Sequence, residues 1–87
     1  MRELNFALQS AGYKSTFQYG GITVEFPTVT ISIGQDDDKV GLFMVNIQED
    51  LDFGPKHTSM DDQSASDVME LCYSHAPVVS AQSPALV

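Results

Sequence analysis

Basic residues are scarce in this chain. Four Lys and Arg stand against 12 Asp and Glu among 87 residues, for a net charge of −8. Phosphate contacts need lysine and arginine, so direct binding to nucleic acid is not expected. An anionic membrane surface is disfavoured for the same reason. Cysteine occurs once, at Cys72, which leaves no disulfide framework and no demand for an oxidising compartment. The first residues lack the apolar core of a signal peptide, and no apolar run approaches the ~20 residues of a membrane helix. A cytoplasmic protein without a membrane partner is expected. A Gly-rich phosphate loop, a Walker lysine and a nucleophile elbow are all missing. No catalytic residue and no cofactor is therefore assigned, and an enzyme is not expected.

What the chain does have is acid, unevenly placed. In residues 1–35, Arg2 and Lys14 balance Glu3 and Glu25. Residues 36–70 carry Asp36, Asp37, Asp38, Glu49, Asp50, Asp52, Asp61, Asp62, Asp67 and Glu70 against Lys39 and Lys56, which accounts for the whole excess, and residues 71–87 carry no Lys, Arg, Asp or Glu. A basic partner protein is the natural complement of such a field.

The length sets one domain, and at 43% hydrophobic residues its core is small. Met1, Leu4, Ala7, Leu8 and Ala11 recur at helical spacing, with Gly12 where a C-cap glycine belongs. From Tyr13 to Tyr19 the period falls to two, as in a half-buried strand, and Gly20-Gly21 is suited to a tight hairpin turn. Ile22, Val24 and Phe26 alternate next, then Val29, Ile31 and Ile33 after Pro27. The two triplets differ in parity, so one straight strand would turn them to opposite faces. A long bent strand, or two short ones, broken near Pro27 is expected.

Gly34–Lys39 reads as a polar reversal, because Asp side chains bond their own downstream amides. Val40–Gln48 follows, apolar on both parities, as suits a central strand or one whose second face meets a partner. Residues 49–63 show no clear period, contain Gly54-Pro55 and read as a long loop. Ser64 with Asp67 three residues later is a variant capping box. It opens a helix whose apolar stripe is Ala65, Val68, Met69 and Cys72, and Pro77 ends that helix. The tail 78–87 is expected to be flexible, with a short extended piece at Val78-Val79. The sum is a small two-layer α+β domain over residues 1–77. It has an antiparallel meander of about three strands, with an N-terminal and a C-terminal helix on one face.

Each candidate site has a plainer reading. Asp50, Asp52 and Asp61 fall at the first, third and twelfth places of an EF-hand-like frame, but Gly54 and Pro55 stand where a ligand and the turn glycine are needed. Cys72 and His75 share a helix edge, yet zinc needs further ligands and a nucleophile needs an orienting group and a pocket. A buried thiol and a helix-dipole partner explain them. Paired carboxylates in loops keep ordinary pKa values and make weak catalysts at neutral pH. No metal site is assigned.

The acidic band carries the functional expectation. Its plain reading is solubility. Against that stands its concentration in one half, with Phe43, Met44, Leu51, Phe53 and Met60 interleaved, as in a surface where charge steers and apolar anchors hold. The expected partner-binding residues are Asp36, Asp37, Asp38, Glu49, Asp50, Asp52, Phe53, Asp61 and Asp62, facing a basic nucleic-acid-binding protein. Spaced carboxylates of this kind can stand in for phosphates. In size, acidity and simple α+β make-up the chain resembles phage-encoded anti-defence proteins such as anti-CRISPR inhibitors and DNA mimics, a likeness of type that no residue motif carries. Such a protein would act in the cytoplasm of a bacterial host. The alternative is an assembly module that forms a homodimer through the apolar strand 40–47 or an unpaired sheet edge.

Overall fold

The structure, a computed structural model, describes residues 1–76; the expected tail and its extended piece lie outside the described residues. Helix α1 (Arg2–Ser10) leads into strands β1 (Lys14–Gln18), β2 (Gly21–Glu25), β3 (Val29–Gln35), β4 (Phe43–Leu51) and β5 (Gly54–Gln63), and helix α2 (Ala65–His75) follows. The strands form one antiparallel sheet in chain order. The α+β class and the meander hold, with five strands in place of about three.

Leu4 and Leu8 of α1 and Val68 and Cys72 of α2 are buried in the same cluster as Ile22, Val24, Ile31, Ile33, Phe43, Val45 and Ile47. Both helices therefore lie on one face of the sheet. Phe6, outside the α1 stripe, is exposed. The end of α1 is closed by Tyr13 N–H donating to Leu8 O at 3.1 Å and Gly12 N–H to Gln9 O at 3.0 Å. This Schellman arrangement needs the positive φ of 94° at Gly12. Ser15, polar and buried, donates its hydroxyl to Asn5 Oδ1, which ties β1 to α1. The Ser64–Asp67 capping box forms in both directions, at 3.1 and 3.0 Å. The α2 C-cap Ala76 is extended, at ψ 145°, as the residue before a proline is pushed to be.

The turn expected at Gly20-Gly21 sits one residue earlier. Gln18 pairs with Gly21, leaving Tyr19 (φ 52°) and Gly20 (φ 77°) as the central residues. Positive φ at both is what a type I′ hairpin turn requires. The parity conflict around Pro27 is settled by two short strands and a reversal. Phe26 N–H donates to Val29 O at 2.8 Å, and Val24 pairs with Ile31 and Ile22 with Ile33. Across an antiparallel hairpin an even residue can face the same side as an odd one, so both triplets turn inward.

Two further expectations are corrected. The apolar strand starts at Phe43 rather than Val40, which is 96% exposed in the preceding turn, and it runs on to Leu51. Its inward residues are Phe43, Val45 and Ile47, and the outward row is Met44, Asn46 and Gln48, so only Met44 makes the second face apolar. Both hydrogen-bonding edges of β4 are occupied, by β3 and by β5. The second correction concerns residues 49–63, expected to be a loop. They complete β4 and form β5, joined by a two-residue turn at Asp52-Phe53. As an edge strand, β5 is covered on its helix side only near Met60 and Gln63, so it has no alternating apolar pattern to read.

Candidate functional site

Strand directions divide the acids between the two ends of the sheet. The loop before β4 and the close of β5 share one end; the β4–β5 turn lies at the other. Nine strand residues separate them, about 26 Å along β4.

The first end is built by two stacked turns. Lys39 N–H donates to Asp36 O at 3.4 Å, Leu42 N–H to Lys39 O at 3.2 Å, and Asp36 N–H closes the loop on Leu42 O at 3.2 Å. Within it, Asp38 N–H donates to the Asp36 carboxylate at 2.9 Å, the downstream-amide bond expected of this segment. Asp37 and Asp38 point to solvent. Opposite, the β4–β5 register slips between Phe43 and Val45, so that Asp61 and Asp62 together face Met44. This bulge places Asp62 at φ 57°. Lys39 Nζ reaches across to Asp62 Oδ1 at 2.7 Å. The hydrogen bond to Asp62 raises the Lys39 ammonium above its ordinary value, and the charges of Asp62, Asp36 and Asp61 add to the effect. Asp36, Asp61 and Asp62 thus form one group around a single turn lysine, with Asp37 and Asp38 exposed in the same turn. Next to it, α2 begins. Asp67 is held below the usual carboxylate range by its bonds to the Ser64 backbone N–H and side chain.

The second end holds Glu49, Asp50, Asp52 and Phe53. Glu49 stands opposite Lys56, Asp50 N–H donates to Thr28 O at 2.9 Å, and Leu51 pairs with Gly54 to close the turn. Phe53 at its tip is 89% exposed. The nine residues picked out by sequence are therefore two groups, one at each end, rather than one face. The helix-free face between them is mostly uncharged. Thr16, Thr23, Ser32, Asn46 and Ser59 stand in register across all five strands. A groove of about 450 Å³ runs beside that row, touched by charge at Asp61.

The remaining candidates do not assemble. Asp50 and Asp52 are parted from Asp61 by most of the length of β5, so the EF-hand-like frame is not a loop. Among the described residues, no group of three or more His, Cys, Asp and Glu could hold a metal ion. Cys72 is buried, and burial pushes its thiol up to about 11, which leaves it protonated and unreactive at neutral pH. Among the described residues, no helix is long and apolar enough to cross a membrane.

No family model, curated protein or solved structure matches the chain.

Sequence reasoning counted Met44 among the apolar residues interleaved with the acids but missed Lys39 as the hub of the first group. The signal was the pairing of β4 with β5, which brings Asp61 and Asp62 to the loop before β4. It stayed hidden while residues 49–63 read as a loop.

Proposed function

We propose that this chain is a small non-enzymatic binding protein that docks its acidic sheet end onto a basic, nucleic-acid-handling protein and inhibits it, in the manner of phage anti-defence proteins. The observation that carries this reading is the convergence of Asp36 with Asp61 and Asp62, more than twenty residues apart in sequence, around Lys39, with Asp37 and Asp38 exposed in the same turn. Charge gathered this way from separate segments gives a local field that steers a basic partner and falls with ionic strength. Met44 and the exposed Val40 supply apolar contact beside it. Phe53, flanked by Asp50 and Asp52 on the far turn, offers a second, smaller anchor of the same type.

The test is affinity capture from a bacterial lysate at low and moderate salt. The baits are the wild type and a variant with Asp36→Lys, Asp37→Lys and Asp38→Lys. A basic nucleic-acid-binding protein should be recovered at low salt, be depleted at moderate salt, and be absent with the variant. Recovery of only the bait itself, or of a partner held equally well by the variant, would overturn the reading.

A further inference from the structure

One row of the helix-free face has no side chains at its centre. Gln18 of β1 pairs with Gly21 of β2, Gly21 with Gly34 of β3, and Gly34 with Met44 of β4. Two glycines thus lie side by side. The span from Gln18 to Met44, three strand spacings or about 14 Å, has a floor of bare backbone. The groove of about 450 Å³ lies over this floor. Packing accounts for Gly21, where a Cβ would come within 3.3 Å of Ile33 O. Nothing in the fold accounts for Gly34. It sits inside β3, its φ is outside the left-handed region, and a Cβ there would meet nothing within 4 Å. Glycine weakens a strand interior and often marks the place where a ligand comes close.

The walls of the groove are acceptors. Thr23, Ser32, Asn46 and Ser59 line it with hydroxyls and an amide, Met44 gives it an apolar flank, and Asp61 is its only charged residue. Among the described residues the Asp61 carboxylate makes no ion pair, because Lys39 is engaged with Asp62. Farther along the same face, Lys14 and Glu25 pair with each other at 3.7 Å. The groove therefore offers one unpaired negative charge, neutral acceptors in several directions and an apolar wall. A guanidinium matches all three. It is planar, always charged and weakly hydrated, it carries five donors, and its methylene stem can lie along an apolar surface. An ammonium concentrates three donors at one point and holds its water more tightly.

We infer that this groove receives one arginine side chain of the basic partner, its stem over Gly34 and against Met44, its guanidinium on Asp61. The source of that arginine rests on the docking proposal; the preference of the groove for a guanidinium does not. Asp61 belongs both to the groove and to the acidic group around Lys39. Charge at that end of the sheet steers a basic surface, and the groove selects one that projects an arginine.

The test titrates the whole chain with a blocked Gly-Gly-Arg-Gly-Gly peptide, followed by the amide signals in nuclear magnetic resonance. The peptide at millimolar concentration should shift the amides of Gly21, Gly34 and Asn46. A citrulline version, alike in shape but uncharged, should leave them in place, and a lysine version should bind several-fold more weakly. Gly34→Val fills the groove with a side chain that suits a strand and meets no neighbour at its Cβ. It should keep the circular dichroism spectrum, lose the peptide shifts and lose the partner in low-salt capture. Should that variant unfold, Asp61→Asn, at an exposed position, should weaken the peptide several-fold. Shifts confined to the Asp37-Asp38 turn or to Phe53 would overturn the inference. So would equal binding of the citrulline peptide, or binding indifferent to the changes at Gly34 and Asp61. The two proposals fail separately. Capture of no basic protein by the wild type sinks the docking proposal and leaves the groove to the titration. Equal capture of a partner by the wild type and Gly34→Val sinks the groove and leaves docking intact.

Discussion

Asp62 Oδ1 lies 2.7 Å from Lys39 Nζ, across 23 residues of sequence, and joins the loop before β4 to the bulge that closes β5. Both side chains are about half exposed, so the pair is worth little to folding; its weight lies in the local charge. Lys39→Gln should leave the urea midpoint unchanged and tighten capture of a basic partner, because the group loses its one turn cation. A titration of wild type and variant against the captured partner at two salt concentrations checks this. Weaker binding by the variant would mean that Lys39 itself contacts the partner.

Tyr19 is a poor residue for the place it holds. It is 99% exposed, at φ 52°, in a turn that favours Asn or Asp followed by Gly. Tyr19→Asn completes an Asn-Gly turn and loses no burial. Stability should rise by up to about 1 kcal/mol, since the left-handed region is less costly for Asn. Urea denaturation followed by circular dichroism measures it.

The start of α2 ties stability to pH. The Asp67 carboxyl is held below its ordinary value in the folded chain by its bonds to Ser64. Its contribution is therefore present above the unfolded carboxylate range and lost as pH falls through the lowered folded value. The gap between wild type and Asp67→Ala should hold from pH 7 to about 5 and close in more acidic buffer. Ser64→Ala, which removes the reciprocal bond, should cost about 1 kcal/mol at neutral pH.

Cys72 offers a reporter of opening. Buried, and with its thiol raised to about 11, it should resist a thiol reagent at pH 8 in the native state and react quickly in denaturant. The native labelling rate should slow with any change that stabilises the fold, Tyr19→Asn included. Fast labelling of a fully folded chain would show that α2 lifts away locally.

Wherever a signal is local, the sequence carried it. The Leu4–Leu8 stripe with Gly12 behind it, the alternation from Tyr13 to Tyr19, and the Ser64–Asp67 box each depend on residues within a few positions of one another. Misreadings arose where tertiary pairing decides. β5 has Lys56, His57, Thr58 and Ser59 at its centre, and nothing in their polarity says strand, because most of that edge stands clear of the helices. The first hairpin turns at Tyr19 rather than on two glycines, a choice made by register with β2 and not by propensity. The candidate site suffered most. Its residues were legible as a composition, but their division between two sheet ends required the full length of β4 and β5.

Every sheet pairing here joins strands that are neighbours in the chain. During synthesis, the hairpins from β1 to β5 can form in sequence, each over a short loop and at low entropic cost. The helix that supplies Val68 and Cys72 follows β5, and α1 alone cannot cover the whole sheet. Until α2 emerges and docks, part of the Ile31, Ile33, Val45 and Ile47 face meets water. A nascent chain stalled near Gln63 should therefore bind chaperones or aggregate, and one released past His75 should not.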